Sequence, residues 1–129
     1  MFYVFDHPVV AANKEATPWP LEMKLVAGVI HQVDIVFQEG CDHKAKVQIW
    51  KAGHQVWPTN RLKAFEGNAT AISFREFYEL GEGTSTLTAL IWGDGTDLAR
   101  VVIQIGVLPK RIIQPLSFDE LLNAAAGIE

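Results

Sequence analysis

At 129 residues and 14.3 kDa the chain is the size of one domain, and 49% hydrophobic content is enough for a core and too much for global disorder. A net charge of −4 without a Lys/Arg cluster argues against a duplex nucleic-acid partner, which leaves a basic face. No apolar run approaches the ~18 residues of a membrane span, and MFYVFDHPVV lacks the basic start and cleavage site of a signal peptide.

Residues 1–20 stand apart. Phe2, Tyr3, Val4 and Phe5 form an aromatic and β-branched cluster, and Pro8, Pro18 and Pro20 favour extended backbone. The segment reads as an extended arm that lays apolar residues, Trp19 among them, on its own body or on a neighbouring subunit. Removing it is expected to leave the thermal transition of the body nearly intact.

The body is read as residues 21–109. Leu25–Gln38 alternates at period two, with Val29, His31, Val33, Ile35 and Phe37 on one face. Glu39-Gly40 breaks that strand. Lys44–Lys51 follows, with Ala45, Val47 and Ile49 inward and Gln48 outward, then a bend at Ala52-Gly53 and a resumed strand at Gln55–Trp57. Residues 58–70 read as a loop. Ala71–Phe74 is strand-like, but Ser73 and Glu76 match a capping box, so a helical turn over FREFYEL stays open. Thr84–Trp92 and Leu98–Leu108 are strands, and Asp94-Gly95 between them predicts a hairpin with a type I′ turn. Beyond Pro109, residues 110–129 read as an extension, with Ser117 capping a short helix that carries Leu121 and Leu122. Short strands at regular spacing predict an all-β fold: an antiparallel β-sandwich of immunoglobulin-like kind, or a small barrel.

Little here points to chemistry. The single cysteine, Cys41, excludes an intrachain disulfide and a thiolate-rich zinc site. Cys41 with His43 could be a nucleophile and base, but neighbouring Asp42 would raise the thiol pKa. His7, His31, His43 and His54 lack metal-ligand spacing, so no metal and no cofactor is expected. His31 is expected to be a hydrogen-bonded core or interface histidine. The glycine stretches at 81–84 and 93–96 carry acids where an anion would approach and read as turns. Glu76/Glu79 and Asp94/Asp97 read as surface carboxylates, not a glycosidase pair. Trp50, Trp57 and Trp92, with Phe74, Phe77 and Tyr78, either pack the sandwich or form a sugar-stacking platform.

Three stretches carry a resemblance: Gly53–Asn60 (GHQVWPTN), Ile72–Leu80 (ISFREFYEL) and Ile105–Pro109 (IGVLP). Together, over about residues 24–109, they resemble small all-β structural proteins of tailed-phage virions. The resemblance implies a non-enzymatic virion protein, assembled in the host cytoplasm. Its partners would be the major capsid protein, other virion proteins and further copies of itself, as trimer or dimer. A capsid decoration or cement role is the first expectation. A head–tail or tail adaptor and a carbohydrate-binding module on the tryptophans are the alternatives. The residues expected to bind partners are Phe2, Tyr3, Val4, Phe5, Trp19, Ile112, Ile113, Phe118, Leu121 and Leu122.

Overall fold

The computed structural model describes residues 1–81 and 86–108. Among them the chain forms nine strands and no helix: β1 (Phe2–Pro8), β2 (Trp19–Lys24), β3 (Gly28–Phe37), β4 (Lys46–Lys51), β5 (His54–Trp57), β6 (Phe65–Glu66), β7 (Thr70–Leu80), β8 (Thr86–Trp92) and β9 (Arg100–Leu108). They make two antiparallel sheets packed as a sandwich. One has the order β1-β9-β3-β7; the other has the order β2-β8-β4-β5, with β6 also on β4. The core between them is aliphatic: Val33, Ile35 and Ile103 from the first sheet face Ile49, Leu87 and Ile91 from the second, all with no exposed surface. The expected C-terminal helix, and with it Ile112, Ile113, Phe118, Leu121 and Leu122, lies outside the described residues.

The expected arm is part of this body. Residues Phe2–Pro8 pair along their whole length with β9, from Phe2 opposite Gly106 to Pro8 opposite Arg100. Trp19–Lys24 pairs with β8. Tyr3 and Phe5 pack against the core, so deleting residues 1–20 would remove a strand from one sheet and part of one from the other. Burial alternates along FYVFDHP, as a strand half-buried at a sheet edge requires, although its residue types do not alternate.

FREFYEL is strand, the second half of β7, because Phe74 and Tyr78 reach the interior against Trp57. Packing thereby overrides the local capping signal. The Asp94-Gly95 hairpin is not formed: β8 pairs with β2 and β4, whereas β9 pairs with β1 and β3 in the opposite sheet. Only Gly95 has a positive φ there, whereas a type I′ turn needs two such residues. Asp94 instead accepts hydrogen bonds from the Thr96 backbone and hydroxyl and pairs with Lys44, closing the loop on itself. The tight hairpin lies at Ala52-Gly53, where φ is 49° and 82° and β4 turns directly into β5.

The alternation of β3 is interrupted between Ile30 and Gln32 by a bulge. An inserted residue reverses the phase. Ile30 and Val33 therefore both enter the core, and His31 turns outward against Gly106. A Cβ on Gly106 would lie 2.7 Å from Phe2 Cε1 and 2.8 Å from His31 Nε2, so any larger residue there must displace the ends of both side chains. The Phe2 ring meets His31 edge-on at 5.6 Å. His31 Nε2 is shielded from solvent without a hydrogen-bond partner among the described residues, which corrects the expectation of a bonded histidine.

Candidate functional site

The sandwich has two open flanks. On one, the edge strands β1 and β2 lie side by side, bridged by His7 stacked on Trp19 at 4.7 Å and 5°. His7 is further fixed by Asn13 Oδ1 at 2.8 Å. Met1 exchanges both its backbone bonds with Val107, each 2.7 Å. Bonded and non-bonded pairs alternate along an antiparallel ladder. Tyr3, Phe5 and His7 therefore face β9 with their backbone groups, and Phe2, Val4 and Asp6 direct theirs to the free edge. The side chains of Phe2 and Val4 are 69% and 64% exposed, Trp19 is 45% exposed, and Asp6 is paired with Arg100 at 2.9 Å.

The structure thus divides the five N-terminal residues expected to bind partners. Phe2, Val4 and Trp19 are presented to the outside. Tyr3 and Phe5 stack on each other at 6.2 Å and 8° and face inward. An edge strand with free backbone groups and exposed apolar side chains is a template for another strand, and natural proteins usually blunt such an edge with charge or proline. Here Pro8 ends the edge and Arg100 neutralises its one acid.

On the other flank the edges β5 and β7 are closed by Trp57. It is 5% exposed, meets Phe74 and Tyr78 edge-on at 5.6 and 5.4 Å, and donates its indole N–H to Glu76 Oε1 at 3.2 Å. Two of the stretches that carry the resemblance meet here, Gly53–Asn60 against Ile72–Leu80. The three tryptophans do not form one platform: Trp57 faces the interior, and Trp50 and Trp92 lie on the outer face of the second sheet, opposite Thr88 and Lys46 respectively. Gln48, expected outward, does face outward but is only 7% exposed. It is covered by the loop 58–64, donating to Lys63 O at 2.9 Å and accepting from Trp50 Nε1 at 3.0 Å. Buried amides carry such loops because an unpaired backbone carbonyl under a loop is costly. A lone glutamine in a strand gives no sequence signal of that.

The remaining candidates are accounted for by structure. Cys41 is fully buried with its thiol directed at Arg100 O, and burial pushes its pKa up, which leaves it a poor nucleophile. Asp97 accepts from Ala11 N–H at 2.8 Å. Asp94 is held below the usual carboxylate range by its bonds to Thr96 and by Lys44; a hydrogen bond and the charge of Lys46 do the same to Glu66. Among the described residues no three metal-ligating side chains come together, and no helix is long and apolar enough to cross a membrane. Compared with known proteins, the sequence matches no protein-family model and no curated protein.

Proposed function

We propose that this protein is a non-enzymatic structural subunit of a tailed-phage virion, a capsid decoration protein that stabilises the shell by contacts between subunits. The observation that carries the reading is the open β1 edge, where free N–H and C=O groups of Phe2, Val4 and Asp6 run beside the exposed side chains of Phe2 and Val4. Strand addition to such an edge supplies main-chain hydrogen bonds for affinity and side-chain contacts for specificity. The partners are then the major capsid protein, other virion proteins and further copies of the chain.

Val4→Pro tests the edge selectively. Val4 N–H faces away from β9, so proline removes a donor from the open edge and none from the sheet, and proline is tolerated at edge positions. The variant is expected to keep the thermal transition within a few degrees and to disappear from purified virions of the phage that encodes it. Antibody against the chain should label the capsid shell of wild-type virions in electron micrographs. Label confined to the neck or tail would replace decoration by an adaptor role. Absence of the chain from purified virions would overturn the reading.

A further inference from the structure

On the outer face of the second sheet, a cleft of about 400 Å³ is lined by Trp50, Gly53, His54, Gln55, Arg61 and Leu62. We propose that it is a preformed binding site for an acidic saccharide, with Trp50 as the stacking surface and Arg61 as the carboxylate-binding group. The proposal is independent of the virion reading, since the cleft lies on the β5 side of the molecule and β1 on the other.

Its walls are fixed by one hydrogen-bond network. Gln55 Nε2 shares its two hydrogens among the carbonyls of Pro58, Asn60 and Lys63 at 2.8, 3.1 and 3.1 Å, and Gln55 Oε1 accepts from Leu62 N–H at 3.2 Å. Gln48 binds the same Lys63 carbonyl and holds the Trp50 indole N–H. The loop bearing Arg61 is thereby tied to the strand bearing Trp50. Leu62 is held at φ 67° and 87% exposed, a left-handed conformation that a branched-chain residue keeps only where the surroundings impose it. A site ordered on folding does not spend binding energy on ordering.

The chemistry of the walls selects the ligand. A partly buried indole whose N–H is already engaged offers a flat apolar face to the cleft it lines, which suits the C–H face of a pyranose. The volume is that of a small-ligand cleft. Residues 43–65 contain no Asp or Glu, yet hold five of the eleven Lys and Arg of a chain with net charge −4. Lys44 and Lys46 are paired with acids; Lys51, Arg61 and Lys63 make no ion pair among the described residues. Of these three Arg61 lines the cleft, whereas Lys51 lies over the Tyr78 ring at 5.8 Å and Lys63 borders a neighbouring hollow with Glu15 and Glu66. The planar fork of Arg61 matches a carboxylate. One guanidinium in a cleft whose lining has no acid suits a single carboxylate beside a sugar ring better than a polyphosphate chain.

Isothermal titration of the full chain with an oligogalacturonate is expected to show saturable binding that weakens with salt. The methyl-esterified, neutral oligomer should bind at least tenfold more weakly. Arg61→Ala and Trp50→Phe should each weaken the acidic oligomer at least tenfold, with the thermal transition of exposed Arg61→Ala unmoved; Lys24→Ala, on β2, should change nothing. No binding at millimolar oligogalacturonate would overturn the site. So would equal affinity for the ester, an unaffected Arg61→Ala, or tighter binding of hexathymidylate or inorganic phosphate.

Discussion

Cys41 shows how burial alone sets a residue's chemistry. Its Cβ and sulfur lie in the core with Ala45 and Val101, and desolvation raises its pKa above the unfolded value. The sign follows. The native state keeps the proton longer than the unfolded chain, so the linked stability is complete below the unfolded value near ~8.5. It is lost as pH rises through that value towards the raised native one. Urea midpoints of wild type and Cys41→Ala are expected to converge between pH 7 and pH 10, because only the wild type loses this contribution. The native thiol should also resist alkylation at pH 7.5 and react at once in 8 M urea. Cys41 follows the strand break at Glu39-Gly40 that was legible in the sequence, in a turn closed by Cys41 N–H on Gln38 O. Its zero exposure was not legible, because it depends on β9 passing over that turn.

At the level of elements, the legible parts were those whose period matches their burial. β4, β8 and β9 lie where alternation places them, and the inward sets Val47/Ile49 and Val101/Ile103/Ile105 are all at zero exposure. β3 was legible only from Val33 onward, because the bulge at His31 shifts the phase of everything before it. FYVFDHP was read as extended and apolar, but not as a strand of the body. Local pattern does not identify a partner ninety residues away. Removing residues 1–8 takes out the ladder of β1 with β9 and the packing of the partly buried Tyr3 and Phe5, each contributing on the order of 1 kcal/mol through apolar burial. Against a total of about 5–15 kcal/mol, the truncated chain is expected to lose at least ten degrees of thermal midpoint by circular dichroism, in contrast to Val4→Pro. An unchanged midpoint would mean that β1 adds nothing to the fold.

For the whole molecule, the order of sheets explains both the missed hairpin and the expected folding behaviour. The chain crosses from one sheet to the other at each connection except those within β4–β5–β6. Most pairings therefore join distant segments, with β1 and β9 about a hundred residues apart. Loop closure must precede the contacts that reward it, which slows folding. Stopped-flow refolding monitored by tryptophan fluorescence is expected on the millisecond-to-second scale, as for other sandwiches; a microsecond phase carrying the full amplitude would contradict this.

The sequence by itself determined that the chain is all-β and which residues fill the interior of most strands, because periodicity is a local property. Only the tertiary structure decided that the first eight residues close a sheet, that Trp57 is a buried plug while Trp50 lines a cleft, and that Gln48 and Gln55 fasten a loop across it. These follow from which strands become neighbours, and pairing between distant segments leaves no mark on either segment alone.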